Sequence, residues 1–275
     1  MTLYVSDLDG TLLDRNASLP EGAAERLLRL DSLGVSVTYA TARTIKSVRH
    51  ILRAAPKRYP AALMNGVLLC DLEREKYLSA AYFNDADFET VSGLLGEYGI
   101  TPFTYYLDGD ELSTAYTKIS NKYMENFMRE RVEKYNKPFI DLGGGHIPEG
   151  RPIYFAAMDS EEKIRRAAER LSELNGIKTA CYRDSYDPDF WYLEVFDKSA
   201  SKKNAVLEIK NLTGADKIVV FGDNFNDLPM FEVADECYAV KTAPEAVISA
   251  ATGVIDGPEE LGVIEKICEL EGIKL

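Results

Sequence analysis

An α/β fold, a Rossmann-like doubly wound parallel sheet carrying an inserted α+β domain, is what this sequence predicts, and three observations lead to it. The first and last thirds of the chain alternate short apolar runs with stretches of helical spacing. Those runs, such as Ile218-Val219-Val220, are continuous rather than alternating with polar residues, as expected of strands covered by helices on both faces. The middle of the chain changes texture, to aromatic-rich strands and two long amphipathic helices. A length of 275 residues suits roughly two domains. The expected division is a core from residues 1–82 and 193–275, interrupted by a domain at 83–192.

Taken in order, residues 3–5 read as the first strand. Residues 20–33 place Leu27, Leu28, Leu30 and Leu33 at helical spacing and stop at Gly34. A strand at 35–40, a helix at 44–55 with Ile45, Val48 and Leu52 on one face, and a strand at 61–64 complete a βαβαβ pattern. In the insertion, 103–107, 152–158 and 179–182 read as strands, and 120–135 and 160–174 as helices. Gly143-Gly144-Gly145 lacks the Gly-Lys-Ser/Thr that would make it a phosphate loop, and reads as a turn. Thereafter 201–212, 226–233, 244–250 and 258–270 read as helices, separated by strands at 217–221, 237–240 and 254–255.

Composition narrows the partners. With 32 Lys and Arg against 45 Asp and Glu the net charge is −13, which opposes a nucleic-acid partner, because that affinity rests on clustered cations neutralising phosphates. No window approaches the ~18 apolar residues of a membrane span, and the first residues lack a signal peptide's basic and apolar regions. No membrane association and a cytoplasmic location are therefore expected. Cys70, Cys181, Cys237 and Cys268 form no Cys-x-x-Cys pair and read as small apolar core residues. His50 and His146 are the only histidines, so a metal here would be held by oxygen.

The chemistry concentrates where strands end, since ligands of open parallel sheets bind off the carboxyl ends of strands near a reversal of strand order. Asp7-Leu8-Asp9-Gly10-Thr11 follows the first strand directly. An Asx turn would use one such carboxylate, but two at this place point to a ligand. Gly222-Asp223-Asn224-Phe225-Asn226-Asp227 occupies a second strand-to-helix junction, where acidic residues also serve as helix caps. Together the two segments bring three or four carboxylates to one crevice, which would repel unless a hard divalent cation lay between them, and Mg²⁺ is the natural candidate. Thr41, in Thr41-Ala42-Arg43 at the end of the second strand, offers a phosphate its hydroxyl and the N–H groups that follow, or an ordinary N-cap. Lys198, Lys202 and Lys203 lie at a helix start, where cations oppose the helix dipole unless an anion is near.

These motifs resemble, in content and order, those of the haloacid dehalogenase superfamily of phosphohydrolases: Asp7-x-Asp9-Gly10-Thr11-Leu12, then Thr41, a lysine, and Gly222-Asp223-x-x-Asn226-Asp227. Asn65-Gly66 and the large insertion are similar to the Cof-type subgroup, whose type C2B cap closes over the site and sets specificity. The resemblance implies a Mg²⁺-dependent phosphatase acting on a small phosphate ester, a sugar phosphate by analogy with the subgroup. It implies Asp7 as the nucleophile that becomes an aspartyl-phosphate and Asp9 as the acid and base. It places Asp7, Asp9 (through its backbone carbonyl), Asp223 and Asp227 (directly or through water) around the metal, and Thr41, Ala42, Lys202 and Asn226 around the phosphoryl group. Cap residues Tyr105, Tyr116, Lys118, Arg183 and Trp191 are candidates for gripping the leaving group and equally for cap core or surface.

The sequence departs from the family pattern twice. The usual Thr-Gly-Arg is Thr41-Ala42-Arg43, and the usual Ser-Lys-Gly is Ser201-Lys202-Lys203. Lys202 then stands as the catalytic lysine, with Lys203 turned about 100° away around the helix into solvent. A phosphomutase would share this chemistry. A receiver-like signalling module would need neither Asp9 nor the insertion.

Overall fold

The computed structural model describes residues 1–144, 148–183, 189 and 191–274; Gly145 of the glycine run and His146 lie outside the described residues. The chain forms two compact units, Met1–Ser79 with Ser201–Leu275, and Ala80–Ala200.

The first unit is built on a five-stranded sheet in the order Gly253–Ile255, Glu236–Val240, Lys217–Gly222, Thr2–Ser6, Ser36–Tyr39. Every pairing is parallel. The chain leaves Thr2–Ser6 for its neighbour Ser36–Tyr39 and returns much later to Lys217–Gly222 on the other side. Strand order therefore reverses at the first strand, and its carboxyl end is the switch point at which such folds bind ligands. The continuous apolar runs are buried as expected: Leu3, Val5, Ile218 and Val220 pack with Val206 and Ile209 of the helix Lys202–Thr213. Each such side chain contributes about 1.5–3 kcal/mol when fully buried. Tyr4, Phe221 and Tyr238 stack in series, with centroids 6.4 and 5.7 Å apart.

Local chemistry trims several expected elements. The first helix runs Ala23–Ser32, because Gly22 before it sits at φ 78°. In place of one helix over 226–233 there is a tight turn, Phe225–Asp227, and then the short helix Leu228–Phe231. The final helix splits at Leu261 (φ 58°) into Pro258–Glu260 and Gly262–Glu271. A three-stranded sheet of Ala61–Leu63, Leu68–Asp71 and Lys76–Ala80 was not anticipated beyond its first strand.

The second unit has a six-stranded sheet in the order Ile177–Arg183, Trp191–Asp197, Arg151–Asp159, Phe103–Asp108, Glu111–Tyr116, Ile140–Asp141. Its pairings are antiparallel except the last. Phe155, Ala157, Leu193 and Val195 pack with Val91 and Leu95 of the helix Asp85–Glu97 and Ile164 and Leu171 of the helix Glu161–Ser172. The expected boundary at 192/193 falls inside Trp191–Asp197, which pairs along its length with both neighbours in this sheet. Tyr105 and Trp191, candidates for the leaving group, are buried here. Tyr105 accepts a 3.1 Å hydrogen bond from Lys137, and the Arg165 guanidinium lies 4.3 Å from the Trp191 ring centre.

Cys70, Cys237 and Cys268 are buried, but Cys181 is exposed, because it lies on the edge strand Ile177–Arg183. Among the described residues no helix is long and apolar enough to cross a membrane.

Candidate active site

Asp7 extends the central strand by one residue. Its N–H donates to the Phe221 carbonyl at 2.9 Å, which carries the carboxylate to the carboxyl edge of the sheet, 6% exposed. The chain then turns tightly, with the Leu8 carbonyl accepting from the N–H groups of Thr11, Leu12 and Leu13. Gly10 makes the turn possible at φ 78°, a left-handed conformation that costs glycine little, and a side chain there would strike the Asp223 carboxylate. Thr11 Oγ1 donates to Asp223 Oδ1 at 3.0 Å, tying the first motif to the last.

Asp227 is wholly buried and its two oxygens do different work. Oδ2 accepts from the N–H groups of Asp223 (2.9 Å) and Asn224 (3.0 Å), which folds the loop into its tight turn. Oδ1 accepts from Lys202 Nζ at 2.6 Å, and the same ammonium donates to Asp7 Oδ1 at 2.6 Å. Lys202 is the first residue of its helix, capped by Ser201, whose Oγ accepts from the Asn204 N–H at 3.1 Å. Lys203, as the helical geometry requires, points elsewhere and pairs with Glu232.

One oxygen from each of Asp7, Asp223 and Asp227 lies within 4.8 Å of the others, and the Lys202 ammonium pairs with two of the three, Asp7 and Asp227. Burial pushes the Asp7 carboxyl well above the usual range; Lys202 opposes this, and Asp227, Asp223 and Asp9 reinforce it. Asp223 is pushed up to about 7, first by burial and then by the charge of Asp227. Burial acts to lower the Lys202 pKa, but Asp227 and Asp7 together raise it, so the side chain stays an ammonium. An oxygen-only donor set with negative charge in excess suits a small hard divalent cation, and the three residues fit one.

Of the three or four carboxylates expected at this crevice three lie together, and the Asp9 side chain stands beside them, its charge still acting on Asp7. The two Asp9 oxygens are gripped by Arg43, with Nε to Oδ2 at 2.7 Å and Nη2 to Oδ1 at 2.6 Å. A half-exposed side chain meets the guanidinium more readily than it enters a cluster already rich in negative charge.

Thr41 is buried at the end of the adjacent strand, its Oγ1 accepting from the Arg43 N–H at 3.2 Å, with Ala42 between them. The Thr41 carbonyl accepts from the Asn65 N–H at 3.0 Å, and Asn65 Oδ1 accepts from Asn226 Nδ2 at 3.2 Å. Thr41 and Asn226 are thus linked through a residue that sequence reasoning noticed only as half of a dipeptide. Asn65 is buried at φ 58°, a conformation asparagine tolerates better than most residues. In the sequence Arg43 stands only as the tail of the Thr41 motif; the signal for it is a cation four residues beyond the end of the strand Ser36–Tyr39.

Gly66 sits at φ 87° against the Ser201 carbonyl, with no room for a Cβ. Gly66→Ala is therefore expected to displace the start of the lysine helix and to destabilise the protein by about 2–3 kcal/mol, the sum of overpacking and left-handed strain. Gly34→Ala, also left-handed but facing open space, should cost only about 1 kcal/mol. Urea unfolding of both variants checks this, and equal losses would show that the Ser201 contact carries no weight.

A family model for haloacid dehalogenase-like hydrolases matches residues 4–267. A Bacillus subtilis protein with a provisional phosphatase name, YxeH, is 26% identical over 274 residues, covering 98% of this chain and 97% of its own. The fold is similar to that of a haloacid dehalogenase-like hydrolase from Bacteroides thetaiotaomicron, with TM-score 0.77, 18% identity, and 98% and 99% of the two chains covered. It is also similar to the HAD subclass IIB sugar phosphatase BT4131, with TM-score 0.73, 18% identity, and 100% of both chains covered.

Proposed function

Because the chain belongs to the haloacid dehalogenase-like hydrolases, we propose that it is a Mg²⁺-dependent phosphatase that hydrolyses a small sugar phosphate through an aspartyl-phosphate on Asp7. The observation that carries the reading is the position of Asp7: at the carboxyl end of the central strand, 2.6 Å from the buried Lys202 ammonium, beside Asp223 and Asp227. The phosphatase name of the full-length relative and the shared fold with a sugar phosphatase support the substrate class.

In this mechanism an oxygen of Asp7 attacks phosphorus, and the bond from phosphorus to the leaving oxygen breaks. The electron pair departs with that oxygen, which takes a proton from Asp9. Water then attacks the phosphorus of the aspartyl-phosphate and gives its proton to Asp9. The bond to Asp7 breaks, releasing inorganic phosphate and restoring the carboxylate. A carboxylate serves as nucleophile at neutral pH when it is held ionised, and the Lys202 ammonium favours that state. Lys202, the Thr41 hydroxyl, the Ala42 N–H and the Asn226 amide steady the charge spread over the transferring oxygens. Mg²⁺ bound by the carboxylates of Asp7, Asp223 and Asp227 would supply further positive charge at those oxygens; the Asp9 backbone carbonyl is its remaining candidate ligand.

Phosphate release from a panel of hexose phosphates, nucleotides and small phosphoesters tests the reading. Hexose phosphates are expected to lead the panel with Mg²⁺ present, and EDTA should reduce turnover by about 100-fold or more. Undiminished turnover in EDTA would show that the carboxylates do not act through a metal, and silence of folded, Mg²⁺-loaded protein on every ester would overturn the phosphatase.

A further inference from the structure

Arg43 is more firmly anchored than a side chain making an ordinary surface ion pair. Its N–H donates to Thr41 Oγ1 at 3.2 Å, and its carbonyl accepts from the Met64 N–H at 3.1 Å. Its Nη1 donates to Ser47 Oγ at 2.8 Å, one turn along the helix Ile45–Ile51. With the backbone pinned on both sides and one arm of the guanidinium tied back, the edge formed by Nε and Nη2 is presented to Asp9 as a planar fork. The Arg43 side chain is 19% exposed and that of Asp9 is 48% exposed, so the more buried partner holds the more exposed one.

We propose that Arg43 is a positioning residue for Asp9, fixing its carboxylate in one orientation from which it serves the leaving oxygen. The inference rests on the phosphatase reading above and adds to it a residue to which that reading gives no role. A proton donor free to sample several rotamers in solvent spends little time at reactive geometry, and a fixed fork removes that loss. Arg43 acts through Asp9, so its importance depends on how much the leaving group needs a proton. An alkoxide from a sugar needs one; a nitrophenolate does not.

The experiment compares kcat/KM, which reports only the steps through departure of the leaving group, for a hexose 6-phosphate and for p-nitrophenyl phosphate. Arg43→Ala is expected to lose about 10-fold or more beyond its loss on the aryl ester when it acts on the sugar phosphate. Ser47→Ala, which loosens the fork without removing it, should show the same selectivity at about 3-fold. On an Asp9→Asn background, Arg43→Ala should add nothing, since residues acting as one unit are not additive. Equal losses on both esters, or a full further loss in the double variant, would make Arg43 a direct phosphate ligand and overturn the proposal. Crystal structures of wild type and Arg43→Ala supply a readout independent of turnover. Asp9 is expected in one orientation in the first and in several in the second, and an unmoved Asp9 overturns the proposal. Absence of turnover in the wild type would remove the phosphatase reading, while this comparison would still decide whether Arg43 holds Asp9.

Discussion

Asp7→Asn is expected to lower phosphate release by about 10³-fold or more while leaving the metal-free protein at least as stable as the wild type. The loss of turnover follows from the amide's inability to form the phosphoryl bond. The preserved stability follows from the electrostatics of the site. Asp7 is 6% exposed, and burial with the neighbouring carboxylates lifts its pKa well above the ordinary value, even against Lys202. For an acid, a raised folded-state pKa means that the folded protein binds the proton more tightly than the unfolded chain does. Stability is then greatest below the unfolded value and is lost as pH rises through the folded one. Ionising Asp7 therefore weakens the metal-free fold, and the amide removes that burden. Breaking a buried ion pair commonly costs about 3–5 kcal/mol, but Lys202 retains Asp227 as its partner. Urea unfolding in EDTA at pH 7, beside a turnover assay, measures both halves. Wild-type turnover would remove Asp7 from the chemistry. A stability loss of several kcal/mol would mean that the Lys202 pair outweighs the burial.

Much of this site is legible in the sequence because its residues sit where local structure ends. Asp7 and Asp223 are the first residues beyond strands built on apolar runs, and Lys202 is the first residue of a helix, so finding the strands and helices finds them too. The parallel core is legible for a related reason: continuous Val and Ile runs admit few alternatives once helices flank them. What stays hidden depends on side-chain direction. Asp9 and Arg43 are 34 residues apart, and whether Asp9 turns into the carboxylate cluster or toward the guanidinium is a choice of rotamer, which no periodicity encodes. The sheet that continues from Ala61–Leu63 escaped for another reason. Its turn between Leu68–Asp71 and Lys76–Ala80 puts Glu75, not glycine or asparagine, at φ 57°, so the usual turn signal is missing.

Lys202→Met tests the same electrostatics from the opposite side, and its expected effects are a loss of turnover by about 100-fold or more and a destabilisation of about 3–5 kcal/mol in metal-free protein. Methionine keeps most of the volume of a side chain that is 1% exposed, so packing changes little, while Asp7 and Asp227 each lose a 2.6 Å partner. The raised pKa of Lys202 gives the sign: its stabilisation is fully present below the ordinary lysine value and lost only as pH rises through the higher folded value, so at pH 7 the whole of it is forfeited. The penalty should nevertheless depend on pH through the carboxylates left behind. At pH 5 a site in which Asp223 is pushed up to about 7 holds protons and tolerates the missing ammonium; towards pH 8 it gives them up and tolerates it less. The stability difference between wild type and Lys202→Met should therefore widen from pH 5 to pH 8 in EDTA, and Mg²⁺ should recover more stability in the variant than in the wild type, because the cation replaces the missing charge. A penalty that is flat across this range and indifferent to Mg²⁺ would mean that Lys202 matters through packing alone, and would break the link between the carboxylate cluster, its ammonium and the metal.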